Sequence, residues 1–373
     1  MKAITRLSAA TFAATAVFAG AVGASPAFAA GTAHAVFVQT DNVKGNQIVV
    51  YDRSREGTLT QAGVYNTGGL GGALEGSVVD HLASQGSLAY DAQDGLLFAV
   101  NAASNTVSVF AVFGDRLALR QVIGAGGTFP VSIAVREGVV YVLNGLEGGS
   151  LQGFAVVAGR LVPIAGSSRA LGLGSEGPQF THTPGTVVFS PDGTQLIVTT
   201  KASGNDVDVF AVSPGGTLSA TPVVNPLPGT VPFAIVFDRQ GHLILAESAG
   251  ALASFQLRES GVIDQLDVVP SEQIATCWVV QARGHFYTSN PGSASLSTFQ
   301  SSAGGQLLTL LGDTPTDGGT VDAAASGDGR LLYVQTGAAG IVDEFSVGAQ
   351  GALSEIGSVT VPGAVGGEGI AVG

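Results

Sequence analysis

Seven times along the chain an aromatic residue closes an apolar strand, and a turn of the Gly-x-Leu type follows at nearly fixed distance. The aromatics are Tyr51, Phe110, Phe154, Phe210, Phe255, Phe299 and Phe345. Their followers Leu59, Leu117, Leu161, Leu218, Ile263, Leu307 and Leu353 lie seven or eight residues downstream. Successive aromatics are 59, 44, 56, 45, 44 and 46 residues apart. A period of roughly 40–50 residues built only from strands and turns marks one blade of a ring repeated around an axis. The predicted fold is all-β: a seven-bladed β-propeller of four-stranded antiparallel blades.

Each repeat divides into four strands. The innermost are small and branched: Ser87–Tyr90, Ser132–Val135, Thr186–Phe189, Ala234–Phe237, Trp278–Val280 and Asp322–Ala325. Asp-Gly turns follow several of them (Asp94-Gly95, Asp192-Gly193, Asp328-Gly329), the strongest short hairpin signal. The chain after residue 33 opens on a second-type strand, His34–Gln39, with no innermost strand before it. It closes on Gly369-Ile370-Ala371-Val372, an innermost strand with nothing after it. The C-terminal strand is therefore expected to complete the N-terminal blade and leave no open ring edge.

Residues 1–29 have the form of an export signal, with Lys2 and Arg6, an apolar stretch from Leu7 to Val22, and an A-x-A site at Ala27-Phe28-Ala29. Residues 30–373 are then one propeller domain, secreted and free of the membrane. Cys277 is the only cysteine, so no internal disulfide can form. The formal charge of −13 becomes −15 once Lys2 and Arg6 are removed. That balance argues against nucleic acid and anionic lipid as partners, both of which need basic surface. A small-molecule ligand and a monomer are expected.

Two connections between blades are longer than the rest, residues 68–85 and 167–185. Both leave an outermost strand for the next innermost one, and so emerge on one face of the ring. Long loops gathered on one face of a rigid scaffold are where binding sits.

The repeat Val100-Asn101-Ala102-Ala103-Ser104-Asn105-Thr106-Val107-Ser108-Val109-Phe110 resembles the YVTN type, and Phe189-Ser190-Pro191-Asp192-Gly193 is similar to a recurring Ser-Pro-Asp-Gly turn. With Gln85-Gly86-Ser87-Leu88 and Pro130-Val131-Ser132-Ile133-Ala134-Val135, they resemble the seven-bladed lactonase family of 6-phosphogluconolactonases and carboxymuconate-cyclising enzymes, in particular its secreted bacterial branch. The resemblance spans the mature chain and implies hydrolysis of a lactone. It also implies a histidine after Pro184 and an arginine after Asp206; this chain has Gly185 and Val207 there. The proton-transfer and oxyanion-stabilising groups of the family enzymes are thus replaced.

Other residues stand where chemistry could reside. His81 and His182 lie one in each insertion, and histidine is the readiest general base near neutral pH. His242 and His285 fall in turns of the opposite face. The end of the second strand is Asn in three blades (Asn101, Asn144, Asn290) but Glu247 in the fifth. A charge that breaks the repeat marks function or a local ion pair, and Lys201 on the same face is the expected partner. Trp278, the only tryptophan, begins an innermost strand, where it plugs the channel or stacks a ring-shaped ligand. Asp322 and Glu368 mark matching strand entrances around the channel. No spacing matches a zinc or calcium site, a P-loop or a dinucleotide fingerprint, so neither metal nor cofactor is expected.

Two functions fit. One is a secreted hydrolase of a lactone or cyclic ester, with His182 or Glu247 activating water and Lys201 or Arg169 stabilising the oxyanion. The other is a non-catalytic propeller that binds a small molecule, glycan or protein.

Overall fold

The computed structural model describes Met1 and residues 34–174, 176–302 and 304–373. Apart from Met1, the expected export signal lies outside the described residues. Six sheets follow one another in chain order; the second blade, for instance, is Leu88–Asp91, Leu96–Asn101, Thr106–Phe113 and Arg116–Gly124. The seventh sheet is composite: Ile370–Val372 pairs antiparallel with Ala35–Gln39 through Val36↔Val372, Phe37↔Ala371 and Val38↔Ile370. Counting this composite sheet as blade 1, the ring has seven blades and closes on its C-terminal strand.

The repeated aromatics are all at most 1% exposed. In five blades the outermost strand carries one extra residue opposite the aromatic: Val109 faces Gln121 while Phe110 faces Leu119, leaving Arg120 over. Such a bulge bends and twists the edge strand, which blunts it as a template for another chain.

The glycine of the Gly-x-Leu turn holds neighbouring blades together. Tyr141 Oη donates to the Gly216 carbonyl at 2.6 Å, Tyr287 to Gly351 at 2.9 Å, and Tyr333 to Gly57 at 2.7 Å. The last of these crosses the seam between blades 7 and 1. All three glycines have positive φ (76°, 81° and 103°), which a side chain would strain. Blade 6 departs from the expected spacing. Its turn between Ser301 and Leu308 is one residue longer than the one between Val347 and Leu353, so Leu308 is buried and Leu307 is 60% exposed.

Turns joining first to second and third to fourth strands share one face. Second-to-third and blade-to-blade connections share the other, the loop-rich face. Asn105 (φ 54°) and Asn205 (φ 50°) end equivalent connections there; their side-chain oxygens accept from Phe129 N and Val231 N, tying each to the start of the next innermost strand. Asn101 and Asn290 brace the third strand, donating to Thr106 and Ser108 and to Ser295 and Ser297. His242 and His285 lie on the opposite face; His242 Nδ1 sits 2.8 Å from Asp238. No helix among the described residues is long and apolar enough to cross a membrane.

Candidate functional site

The first insertion runs inward and seals the ring at its axis. Ser84 offers its amide (3.0 Å) and hydroxyl (2.6 Å) to Glu368 Oε1, and its carbonyl accepts from Trp278 Nε1 at 2.6 Å. The Gln85 side chain pairs both ways with the Val279 main chain at 3.0 Å, and Gln85 N donates to the Gly185 carbonyl. Blades 1, 4 and 6 are thus bridged through two residues of one loop. Val79 packs against Gly319 and Gly337 of blade 7, where a Cβ at residue 337 would lie 1.7 Å from the Val79 carbonyl.

The sequence-predicted channel residues therefore hold this plug. Trp278 is 1% exposed, with its ring 4.8 Å from that of Phe233. Glu368 is fully buried, and burial, then the charges of Asp80 and Asp41, raise its carboxyl well above the usual range. Burial pushes Asp322 up to about 7, partly offset by the amides of Ala323, Ile370, Gly86 and Gly369. Asp41, raised by burial to about 7, accepts from Glu368 N and from Gln39. His81 lies with its ring against Gly366, and burial lowers its basicity. Cys277 is buried with its thiol pushed up to about 12, inert as a nucleophile at neutral pH.

Lys201 is 1% exposed and occupies the left-handed region (φ 49°). Its ammonium donates to the Ala83 carbonyl (2.7 Å), the Phe180 carbonyl (2.7 Å) and Thr183 Oγ1 (3.0 Å), and lies 5.4 Å from the Phe233 ring centre. One side chain thus clamps both insertions. Burial lowers its pKa to about 8 against the opposing pull of Asp80 and Glu368; Asp80 is itself raised to about 6 by burial. Among the described residues no ion pair joins Lys201 to Glu247. Glu247 is 5% exposed at the end of its strand, no hydrogen bond reaches its carboxyl among the described residues, and burial raises it to about 7.

A cleft of about 280 Å³ opens beside the plug, between blades 3 and 4. One wall is Thr128 and Gly145–Gly148; the other is the second insertion, with Leu173, Gly177, Gln179, His182 and Thr183. The insertion forms a helical turn, Gln179–His182. Thr181 Oγ1 lies 3.1 Å from the Pro178 carbonyl and 2.7 Å from His182 Nδ1. Nδ1 also lies 3.2 Å from the Pro178 carbonyl, which only accepts, so an Nδ1–H tautomer satisfies both contacts. In that tautomer Nε2 keeps the lone pair. Gln179 Oε1 accepts from Glu75 N at 3.0 Å, which fixes the carboxamide and leaves its NH2 as a donor.

The cleft brings together His182 and, through Thr183, the Lys201 clamp. Glu247 does not line it. Arg169 lies outside it too: its guanidinium is taken up by the carbonyls of Ser219, Gly166, Ser168 and Leu218, tying blade 3 to blade 4. The position after Pro184 has no room for an imidazole, because a Cβ at Gly185 would lie 2.7 Å from the Phe233 carbonyl and 2.9 Å from Thr199 Oγ1. Val207 is fully buried in an apolar cluster with Ile197, Ile235 and Leu245. No group of three or more His, Cys, Asp or Glu among the described residues is placed to hold a metal ion. Glu147, Gln179 and Thr183 escaped the sequence reading. Only Glu147 carried a signal, lying just beyond the repeated Asn144.

The family described as lactonase, 7-bladed beta-propeller, matches residues 72–366. The chain belongs to that family. This lactonase-family propeller is similar to the periplasmic gluconolactonase of Pseudomonas aeruginosa, at 18% identity and a TM-score of 0.74, covering 91% of this chain and 99% of that one. A candidate 6-phosphogluconolactonase of Bacteroides uniformis gives 17% identity and 0.74, over 90% and 98%. A protein from Lactobacillus plantarum gives 22% and 0.70, over 89% and 98%. No curated protein matches the sequence. At such identities the solved structures share the lactonase propeller fold with this chain, and the chemistry must be argued from its own side chains.

Proposed function

We propose that this lactonase-family protein is an exported hydrolase of a lactone or cyclic ester, acting in the cleft between blades 3 and 4. The observation that carries the reading is the setting of His182 in a cleft large enough for a small ring, with Nδ1 beside Thr181 Oγ1 and the Pro178 carbonyl; the Nδ1–H tautomer that serves both makes Nε2 the base. Nε2 takes a proton as water attacks the ester carbon, and the carbonyl electrons move onto oxygen. The free NH2 of Gln179 supports that oxyanion. On collapse the ring C–O bond breaks, and the imidazolium returns the proton to the leaving alkoxide, giving a hydroxy acid. Export rests on the leader-like residues 1–29.

The experiment is a pH-stat assay of acid release from aliphatic and sugar lactones, comparing wild type with His182→Ala and Gln179→Ala. Loss of turnover in His182→Ala with an unchanged melting transition supports the assignment. Glu247→Gln, outside the cleft, is expected to retain activity. No turnover of any lactone by wild type favours the second reading, a non-catalytic binding propeller. That reading draws on the closed position at Gly185 and the buried Val207, which leave the axis without the family's histidine and arginine.

A further inference from the structure

Where blades 7 and 1 meet near the axis, three buried side-chain oxygens have no hydrogen-bond partner among the described residues: Gln39 Oε1, Gln335 Oε1 and Glu368 Oε2. Their residues are 0%, 2% and 0% exposed. One chain of hydrogen bonds joins the three. Gln335 Nε2 donates to the Gln39 carbonyl at 3.3 Å, Gln39 Nε2 donates to Asp41 Oδ1 at 2.6 Å, and Asp41 Oδ2 accepts from Glu368 N at 2.8 Å. Residues 367–369 pack on the same spot. A Cβ at residue 367 would lie 3.1 Å from the Gln39 carbonyl oxygen, and Gln39 N donates to the Gly369 carbonyl at 2.8 Å.

These bonds fix which atom of each group is left over. Both carboxamides direct their NH2 at a carbonyl or carboxylate oxygen, which only accepts, so the remaining atom is an oxygen. Glu368 Oε1 takes both donors of Ser84, which leaves Oε2. The surroundings are negative: the charges of Asp80, Asp41 and Asp322 all act on the Glu368 carboxyl. Lys201 does not serve it, because its ammonium donates to Ala83, Phe180 and Thr183. Among the described residues, this region thus holds more acceptors and more negative charge than its donors satisfy. Burying such groups is costly unless a partner is supplied. No three of the acids, with or without His or Cys, are placed around one ion. The oxygens left over are instead a mixed set, one carboxylate and two carboxamides. All-oxygen donor sets of that kind suit calcium, which takes about six to eight oxygens from carboxylates, amide and main-chain carbonyls, and water.

We infer that the junction of blades 7 and 1 binds a hard divalent cation of calcium size through Glu368 Oε2, Gln39 Oε1 and Gln335 Oε1. Asp41, Asp80 and Asp322 supply further negative charge around it. The ion ties the second strand of blade 7 to the segment that leads into the closing strand, and so acts as a latch on the ring. Its donors come from positions 39, 335 and 368, so no local spacing announces them. The inference is independent of any lactone chemistry in the cleft.

The test uses the full chain stripped with EDTA. Calorimetric titration with CaCl2 at pH 7.5 is expected to show one ion bound per chain, with a melting midpoint that rises as calcium is added. At pH 5 protons compete for the same carboxylates, and the rise is expected to shrink. Magnesium demands near-octahedral geometry and dehydrates reluctantly, so MgCl2 is expected to bind more weakly. Gln335→Leu removes one donor oxygen and no charge, and is expected to weaken calcium binding roughly tenfold or more. Gln335→Glu keeps an oxygen there and adds charge, and is expected to bind calcium at least as tightly as wild type. Should the leucine variant fail to fold, wild type and Gln335→Glu still decide the matter. No calcium bound by stripped wild type at millimolar concentration would mean that protons or water alone serve these oxygens, and overturns the inference. Equal affinity for magnesium, which would point to exposed carboxylates, overturns it too. So does undiminished affinity in Gln335→Leu or weakened affinity in Gln335→Glu.

Discussion

The ammonium of Lys201 donates to the carbonyl of Ala83 at 2.7 Å, joining residues 118 positions apart. The same nitrogen serves Phe180 and Thr183, which flank His182, so one cation sets the position of both the axial plug and the proposed base. Lys201→Met would leave buried carbonyls unpartnered and is expected to lower stability by about 2–3 kcal/mol. Limited proteolysis should then cut first within residues 68–85 and 167–185. A digestion pattern identical to wild type would show that the clamp holds neither loop.

Stability should depend on pH in an unusual direction. Burial raises Asp41 and Asp322 from 3.8 to about 7 and Asp80 to about 6. Between about pH 4 and 7 the native protein therefore holds protons that the unfolded chain has released, and stability falls as pH rises through that window. Lys201 has the opposite sign. Its folded value of about 8 lies below the unfolded 10.5, so stability recovers between those two values. Asp192 and Asp328, held low by Ser190 and Ser326, matter only below about pH 4. The melting midpoint is expected to be higher at pH 5 than at pH 7.5; a flat or rising profile over that range would contradict these assignments.

Glu247 provides a one-residue version of the same experiment. Its carboxyl is raised from 4.5 to about 7 by burial alone. Ionisation thus costs the folded state increasingly from pH 4.5 to 7, on the order of 1–3 kcal/mol at the upper end. Glu247→Gln should raise the melting midpoint at pH 8 and leave it nearly unchanged at pH 4.5. An equal gain at both values would point to packing rather than charge.

Gly185 has lost more than a side chain. Placing the family's histidine there, Gly185→His, drives a Cβ toward the Phe233 carbonyl and Thr199. The expected result is a stability loss of several kcal/mol without gained turnover. A soluble, equally stable variant with increased lactone hydrolysis would mean that the axis can still open.

The C-terminal strand both closes blade 1 and, through Glu368, anchors Ser84. Deleting residues 368–373 should lower the melting transition of the whole ring cooperatively. A truncated chain with an unchanged transition would refute the seam as a source of stability.

The ring was legible in the sequence because its period is physical. The buried aromatic recurs in all seven blades, and three turn glycines accept from a tyrosine of the neighbouring blade. Leu307 shows the limit of that logic: one added turn residue moves the buried position to Leu308, which no spacing rule signals. The face carrying the cleft was legible from loop lengths alone. The destinations of Lys201 and Arg169 were not, since their partners are mostly main-chain carbonyls in non-repeating segments, and any residue type can supply a carbonyl. Trp278 begins an innermost strand, and its indole proton goes to the Ser84 carbonyl, a partner in a non-repeating loop.

Ser84 and Glu368 are 284 residues apart. A ribosome must therefore add 284 residues beyond Ser84 before the loop that caps the hub can find its anchor. Until then the emerging sectors can assemble around an open hub, and the polar centre stays wet until Glu368 has been made.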